Sequence, residues 1–194
     1  MLNKNYWQTR YAEKRTGWDA GNITTPIKEY FDTILNKNAR ILIPGCGNAH
    51  EATYLFAQGF KNIFLCDWAQ SPLDNFALKN PEFPQQQLIC RNFFELNIVD
   101  FDYVIEQTFF CAINPSLRKS YAKKVFEILK HGGTLVGLLF GQALDLNQEG
   151  PPYGGSKDEY LSYFEPIFSK TVIEECQNSI APRQGVELFI EIVK

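Results

Sequence analysis

The pattern of apolar and polar positions predicts a strand, a glycine turn and a helix in immediate succession. Residues 41–43 are Ile-Leu-Ile, a short apolar run typical of a strand buried on both faces. Residues 45–47 are Gly-Cys-Gly, so neither outer position of the turn carries a Cβ. Ala52, Leu55 and Phe56 then recur at helical spacing, and Gly59 follows where a glycine typically ends a helix. This unit opens a Rossmann-like α/β domain, in which backbone N–H groups and a helix N-terminus face a ligand.

A second strand extends this interpretation. Residues 62–66 form the next apolar run and are followed by Asp67, roughly 20 residues beyond the turn. A carboxylate at that strand end can accept hydrogen bonds from ribose hydroxyls. The third glycine of a dinucleotide-binding turn would fall at His50, whose side chain is unsuited to close helix–strand packing beside a pyrophosphate. The sequence therefore favours a nucleoside ligand without a pyrophosphate, such as S-adenosylmethionine.

The rest of the chain alternates between predicted helices and strands. Helices are predicted at 26–35, 71–80 (with Ser71 as its N-cap), 115–130 and 157–166. Strands are predicted at 87–90, 101–105, 134–140, 171–175 and 186–193. The last two form a terminal hairpin. The expected fold is a single α/β, Rossmann-like domain. Its mostly parallel seven-stranded sheet ends in an antiparallel C-terminal hairpin strand and carries helices on both faces.

Four segments are expected within this one domain. Residues 1–38 would supply an aromatic lid and a helix, and residues 39–140 the cofactor-binding core. Residues 141–156 would form a substrate loop, because long loops beyond a strand's carboxyl end determine specificity in α/β folds. Residues 157–194 would form a helix and the C-terminal hairpin.

An aromatic cluster precedes the first strand. Trp7, Tyr11 and Trp18 lie in a polar stretch that is not needed to build the sheet. Such residues either cap an exposed edge of the core or present their faces to a ligand. Because aromatic faces attract cations, a lid of this kind would suit a sulfonium.

Composition narrows the class of protein. A chain of 194 residues, 45% of them hydrophobic, can bury the core of one domain. The formal net charge is −3 and no block of Lys or Arg stands out, so we expect no nucleic-acid partner. We also expect no membrane partner, because no apolar run reaches the length of a span and no apolar leader follows Met1. Nothing in the sequence indicates an oligomeric state.

Cysteine and histidine usage adds two expectations. The five cysteines are scattered and none forms a C-x-x-C pair, which indicates reduced thiols in the cytoplasm. With two histidines and no carboxylate cluster, we expect no metal site.

Four short motifs occur in order along the chain. Residues 7–21 contain Trp7, Tyr11, and Trp-Asp-Ala-Gly at the end; residues 44–47 are Pro-Gly-Cys-Gly, with Glu51 just after. Residues 111–122 contain Ala-Ile-Asn-Pro followed by Arg118, and residues 150–153 are Gly-Pro-Pro-Tyr. Together these motifs resemble the thiopurine S-methyltransferase family of class I S-adenosylmethionine-dependent methyltransferases. Within that family they are most similar to the branch of thiol and halide methyltransferases. The similarity covers nearly the whole chain.

The resemblance implies S-adenosylmethionine as cofactor, S-adenosylhomocysteine as its product, and a set of cofactor-binding residues. The family's contacts fall on Trp7, Tyr11, Trp18, Gly45, Asp67, Asn92, Phe93 and Gln107. We add five further cofactor-binding candidates: Cys46, Gly47, Glu51, Trp68 and Glu106. The resemblance also implies that the N-terminal segment closes over the cofactor and that Trp18 faces the acceptor. Tyr11 and Tyr153 are further acceptor-facing candidates. The family's thiopurine enzymes have an arginine where Gln107 stands. Glu51 could reach the cofactor's amino group or simply stabilise a helix N-terminus.

The expected reaction is an in-line attack on the sulfonium methyl by a small soft nucleophile: a thiol, bisulfide, thiocyanate or a halide. Such a nucleophile is already an anion, or nearly so, at neutral pH. Alignment in a dry pocket would then be the main task of the protein, and no catalytic base is assigned.

Three alternatives stay open. A nucleoside-binding module would hold the cofactor without turnover. A methyltransferase could act on an amine or oxygen acceptor, since residues 150–153 resemble the (Asn/Asp)-Pro-Pro-(Tyr/Phe) motif of amine methyltransferases. That motif follows the fourth strand, however, and here the similar residues follow the fifth and begin with glycine. A nicotinamide-dependent oxidoreductase would need the third glycine that His50 replaces.

Overall fold

The computed structural model describes residues 2–141 and 150–194, which form a seven-stranded sheet with flanking helices. The strands are β1 (Arg40–Pro44), β2 (Asn62–Asp67), β3 (Leu88–Cys90), β4 (Phe101–Gln107), β5 (Leu129–Phe140), β6 (Lys170–Glu175) and β7 (Glu187–Val193). The α-helices are α1 (Lys4–Ala12), α2 (Thr25–Asp32), α3 (His50–Ala57), α4 (Gln70–Lys79), α5 (Arg118–Ile128) and α6 (Lys157–Phe164). Much of the expected substrate loop, residues 142–149, lies outside the described part.

The sheet order is β3-β2-β1-β4-β5-β7-β6. Strands β1 to β5 pair in parallel with their neighbours, whereas β7 runs antiparallel to both β5 and β6. Because β1 lies between β2 and β4, the order of winding reverses there, and a crevice opens beyond the carboxyl ends of these strands. The predicted mostly parallel sheet with an antiparallel C-terminal strand is confirmed.

Helices cover both faces of the sheet, because successive side chains of a strand point to opposite sides. Leu42 of β1 packs in a core that includes Tyr121 of α5 and Tyr160 of α6. Its neighbours Ile41 and Ile43 pack in a second core with residues of α2, α3 and α4. All three β1 residues are buried, as predicted from the apolar run.

The start of α4 differs from the prediction. Ser71 is not the N-cap; the cap is Ala69, two residues earlier than expected, and the first helical residue is Gln70. The free N–H of Gln70 donates to the side-chain carbonyl of Gln8 in α1, at 3.1 Å. A residue 62 positions away therefore does the capping that the sequence pattern assigned to a local serine.

Two further elements depart from the predicted pattern. The segment that forms helix α1 was expected only as a polar aromatic stretch. The helix begins after Asn3, whose side-chain oxygen accepts the backbone N–H of Tyr6 at 2.9 Å. The helix predicted at 115–130 begins as a 3₁₀ turn at 115–117, and its last two residues belong to β5, where Leu129 pairs with Phe101. No helix in the described ranges, 2–141 and 150–194, is long and apolar enough to cross a membrane.

Candidate active site

A cavity of about 240 Å³ opens at the carboxyl ends of the central strands. The N-terminal segment contributes Leu2, Tyr6, Trp7, Arg10, Tyr11 and Trp18. The ends of β1 and β2 and the segment after β3 contribute Gly45, Cys66, Asp67, Trp68, Arg91, Asn92, Phe93 and Phe94. The segment after β4 contributes Thr108, Phe109, Cys111, Ala112, Ile113, Asn114 and Leu117, and Pro151 and Pro152 complete the wall. The cavity thus occupies the crevice where parallel α/β sheets bind ligands.

The glycine turn after β1 is built for close approach. Gly45 and Gly47 have positive φ angles of 56° and 51°, which side chains rarely adopt. A Cβ at Gly45 would stand 2.2 Å from Cδ2 of Phe109, and a Cβ at Gly47 would stand 2.8 Å from the Tyr11 hydroxyl. Both glycines are therefore required to bring the turn against the cavity wall.

Asp67 sits at the end of β2, where the spacing from the turn predicted it. One carboxylate oxygen accepts the N–H of Gly47 at 3.0 Å, and the other accepts the N–H of Ala69 at 2.8 Å. Burial raises the pKa of Asp67 despite these hydrogen bonds. Each oxygen keeps a second lone pair, so the carboxylate can still accept hydroxyl donors from the cavity.

Three aromatic rings of the N-terminal segment form one cluster over the cavity. The Trp18 ring meets Trp7 edge-on at 5.6 Å and Tyr11 edge-on at 5.8 Å between centroids. All three line the cavity. Burial, with Asp67 nearby, raises the pKa of Tyr11, so its hydroxyl stays protonated. This wall offers aromatic faces and a neutral donor to whatever occupies the space.

This aromatic segment is tied to the core by contacts far apart in sequence. Asp19 accepts from the Asn48 amide and contacts Nε2 of His50 at 2.7 Å, next to the glycine turn. The Trp18 carbonyl accepts a hydrogen bond from the Arg183 guanidinium at 2.5 Å. The motif at residues 18–21 gave no sign of these partners.

A smaller cavity, of about 40 Å³, adjoins the same turn and shares Trp18, Gly45 and Thr108 with the larger one. It is also lined by Cys46, Gly47, Glu51, Gln107 and Arg183. The Gln107 side chain accepts from the Thr24 hydroxyl at 3.0 Å, while its buried Nε2 has no hydrogen-bond partner within the described ranges. Burial raises the pKa of Glu51. The smaller cavity therefore pairs an unused amide donor with a buried carboxyl group.

Comparisons with known proteins decide the family. A family model described as Thiopurine S-methyltransferase (TPMT) matches residues 2–192. The chain belongs to the thiopurine S-methyltransferase family. The family predicted from the four motifs is confirmed, and with it a methyltransferase of the S-adenosylmethionine-dependent class.

Relatives in this family include plant enzymes. Thiocyanate methyltransferase 1 of Brassica oleracea is 31% identical over 190 residues, covering 93% of this chain and 81% of the relative. Probable thiol methyltransferase 2 of Arabidopsis thaliana is 28% identical over 186 residues, with the same two coverages. Thiopurine S-methyltransferase of Bos taurus is 23% identical over 198 residues, covering 90% and 80%.

Solved structures share the fold at lower identity. The 1,6-didemethyltoxoflavin-N1-methyltransferase of Burkholderia thailandensis, solved with S-adenosylhomocysteine, superposes with a TM-score of 0.74 at 15% identity, covering 98% of this chain and 85% of that one. A TehB-like S-adenosylmethionine-dependent methyltransferase of Corynebacterium glutamicum gives a TM-score of 0.68 at 17% identity, covering 98% and 97%. These likenesses confirm the Rossmann-like methyltransferase fold.

All but one of the predicted cofactor-binding residues line one of the two cavities, and Trp18 and Gly45 line both. The larger one holds Trp7, Tyr11, Trp18, Gly45, Asp67, Trp68, Asn92 and Phe93. The smaller one holds Cys46, Gly47, Glu51 and Gln107. Phe93 is also a core residue that packs on Phe109 and Tyr121 at 5.4 Å between centroids, so it joins the cavity wall to the interior.

Glu106 was expected to contact the cofactor, but it is not among the described residues lining either cavity. One carboxylate oxygen accepts the N–H groups of Phe109 and Phe110, both at 2.8 Å, and the other accepts the Tyr121 hydroxyl at 2.5 Å. The side chain is fully buried, and burial raises its pKa to about 7. Glu106 instead fixes the turn that brings Phe109 to the cavity.

Tyr153 was an acceptor-facing candidate, yet its neighbours Pro151 and Pro152 line the cavity and Tyr153 is not among the described lining residues. Its backbone carbonyl accepts from Arg118 at 3.0 Å, as does that of Gly154 at 3.1 Å. Arg118 is buried and pairs with Glu159 at 2.8 Å. Arg118, which belongs to the motif at residues 111–122, therefore holds the loop that contains the motif at residues 150–153.

Neither Cys46 in the glycine turn nor Cys111 after β4 is an activated nucleophile. All five are free, and burial raises the pKa of both Cys46 and Cys111, which keeps these thiols protonated. Within residues 2–141 and 150–194, no group of three His, Cys, Asp or Glu side chains could hold a metal ion.

Proposed function

We propose that this protein transfers the methyl group of S-adenosylmethionine to a small soft nucleophile: a thiol, bisulfide, thiocyanate or a halide. The observation that carries the proposal is the aromatic cluster of Trp7, Tyr11 and Trp18 closed over the glycine turn. The names of the plant relatives, which include a thiocyanate and a probable thiol methyltransferase, support the acceptor class.

The residues present fit the cofactor. Asp67 would accept hydrogen bonds from the ribose, and Trp68, Asn92 and Phe93 would enclose the adenine. The unpartnered Nε2 of Gln107 would donate to the carboxylate of the methionine moiety, and Glu51 would accept from its ammonium. Gly45 and Gly47 let the turn between these two groups lie directly against Phe109 and the Tyr11 hydroxyl.

When bound, the cofactor supplies an electrophilic methyl group on a positively charged sulfur. The faces of Trp7, Tyr11 and Trp18 would stabilise that charge through cation–π attraction and keep water out. The walls after β4 would hold the acceptor in line with the departing sulfur, which is the main source of rate for such a displacement. An anionic acceptor needs no proton removed, so no residue of this site is assigned as a base.

The boundaries of the lid and core segments and the cellular compartment are part of the same proposal. The tethering of residues 18–19 to the glycine turn and to Arg183 supports a lid within residues 1–38 over a core at 39–140. The five free thiols favour a reducing compartment such as the cytoplasm.

Two measurements test the proposal. Calorimetric titration with S-adenosylmethionine, S-adenosylhomocysteine and NAD should show binding of the first two and none of NAD. Incubation with S-adenosylmethionine and thiocyanate, iodide or hydrosulfide should release the methylated product into the headspace together with S-adenosylhomocysteine. Trp18→Ala should lose most of this turnover, and Trp18→Phe should keep part of it, because Phe retains an aromatic face.

The outcomes separate the alternatives. Cofactor binding without product across thiols, halides and amines would indicate a binding module. Product from amines alone would move the protein to another acceptor class. Binding of NAD alone would contradict the proposed cofactor.

A further inference from the structure

Two arginines line the larger cavity from different elements. Arg10 lies in the last turn of α1, and Arg91 lies directly after β3. Arg91 is exposed and Arg10 is half-buried. Each therefore places a guanidinium at the boundary between the cavity and solvent.

Neither charge is neutralised by a carboxylate within residues 2–141 and 150–194. The Arg10 guanidinium donates to the Tyr6 hydroxyl at 2.7 Å and lies 5.2 Å from the centre of that ring, and both are neutral partners. By contrast, Arg15, Arg118 and Arg183 each pair with a glutamate.

The lining of the larger cavity carries little negative charge. Asp67 is the one carboxylate among the described lining residues, and both of its oxygens already accept backbone N–H groups. No histidine or lysine is among those lining residues, and Tyr11 has a raised pKa. Apart from Asp67, whose remaining lone pairs the proposed ribose contact would occupy, the described walls offer positive charge and no group suited to remove a proton from a neutral acceptor.

We propose that Arg10 and Arg91 form a cationic entrance that selects anionic acceptors, such as thiocyanate, iodide or hydrosulfide, over neutral thiols. This inference rests on the proposed methyl transfer to a soft nucleophile. Positive charge beside low-dielectric aromatic walls raises the local concentration of anions. The cofactor does not explain these two arginines, because its sulfonium and ammonium outnumber its one carboxylate and make it a net cation.

The chemical step accounts for the same preference. A lone pair of the anion forms a bond to the methyl carbon while the carbon–sulfur bond breaks, and its electron pair stays on the cofactor sulfur as a thioether. The negative acceptor and the positive sulfonium become two neutral groups, and no proton is released. A neutral thiol would have to lose a proton to an acceptor that the described walls do not supply.

Kinetics of wild type, Arg10→Gln, Arg91→Gln and the double variant test the entrance, with Arg15→Gln as the matched control on an exposed ion pair outside the cavity. At low salt, kcat/KM for thiocyanate should fall by about 3- to 10-fold in the double variant, and its dependence on ionic strength should flatten. Turnover of a neutral thiol such as 2-mercaptoethanol at pH 7 should change little, and Arg15→Gln should match wild type.

A second readout needs no turnover. All three tryptophans of the chain, Trp7, Trp18 and Trp68, line this cavity, so their fluorescence reports on access to it. Iodide is an anionic quencher and acrylamide a neutral one. In the double variant, quenching by iodide should fall by about a factor of two or more while quenching by acrylamide stays constant.

Unchanged iodide quenching in the double variant, or an unchanged kcat/KM for thiocyanate at low salt, would overturn the entrance. A weaker affinity for S-adenosylmethionine in Arg10→Gln or Arg91→Gln would overturn it too, because it would assign that arginine to the cofactor. Failure of the wild type to methylate any acceptor would instead count against the proposed function, while the quenching comparison would still decide whether anions collect at the cavity.

Discussion

The Arg183 guanidinium donates to the Trp18 carbonyl at 2.5 Å, across 165 positions of sequence. The same guanidinium pairs with Glu187 of β7 at 3.3 Å and is buried. The linker between the two hairpin strands therefore holds the backbone of an aromatic residue that lines both cavities.

Arg183→Met should weaken binding of S-adenosylhomocysteine by about 10-fold or more, because a hydrogen bond to a charged group contributes about 1.5–3 kcal/mol. Isothermal titration calorimetry measures the change. Glu187→Gln is the control, since it removes the ion pair and keeps the bond to Trp18. Equal losses in the two variants would show that the ion pair alone matters.

Asp67→Asn should weaken binding of S-adenosylhomocysteine by roughly 10- to 100-fold, because an amide offers ribose hydroxyls a weaker acceptor than a carboxylate. The Asp67 side chain also caps Gly47 and Ala69, so the thermal midpoint should be recorded alongside. The exposed Asp158→Asn serves as the matched control. Retained affinity in Asp67→Asn would remove the ribose assignment.

Glu106 should make stability depend on pH. Its pKa rises from 4.5 to about 7 because burial disfavours the charged form. The folded state therefore holds a proton that the unfolded state releases between about pH 4.5 and 7. This contribution to stability, on the order of 3 kcal/mol, is present below pH 4.5 and is lost as pH rises towards 7.

Glu106→Gln keeps the shape and an acceptor for Phe109 and Phe110 but cannot ionise. Its free energy of unfolding should fall less steeply between pH 5 and 7.5 than that of the wild type. Urea unfolding at several pH values provides the test, and parallel curves for the two proteins would contradict it.

Gly45→Ala should lower the thermal midpoint and weaken cofactor binding. A left-handed alanine costs about 1–2 kcal/mol, and its Cβ would collide with Phe109. Gly17→Ala is the control, because nothing lies within 4 Å of a Cβ there and its φ is not positive. Wild-type behaviour of Gly45→Ala would mean that the turn is not constrained by its packing.

Local patterns were sufficient for most of the fold. The apolar run at 41–43, the glycines of the turn and the placement of Asp67 each depend on neighbours within about one turn or strand, and each was found where predicted. The sequence also singled out Trp7, Tyr11 and Trp18, which line the larger cavity, because large aromatic residues in a polar stretch require an explanation.

Long-range partners defeated the same approach. The first N–H of α4 donates to Gln8 of another helix, and Ser71 does not cap it. Glu106 lies in the core because Tyr121 and two backbone N–H groups donate to its carboxylate. The pairing of Arg183 with Trp18 depends on β7 lying between β5 and β6, which no local window of sequence reveals. A side chain whose partner is a backbone group far away in the sequence produces no periodic pattern of residues from which the contact could be predicted.

The tether between Trp18 and Arg183 also orders events during synthesis on the ribosome. The aromatic segment leaves the exit tunnel early, whereas its anchor emerges more than 160 residues later, with the strand that completes the sheet. A nascent chain that has already formed β1 to β5 therefore still lacks the hydrogen bond that holds the Trp18 backbone. The hydrogen bond between Arg183 and Trp18 can form only after Arg183, which lies just before the last strand, has been synthesised.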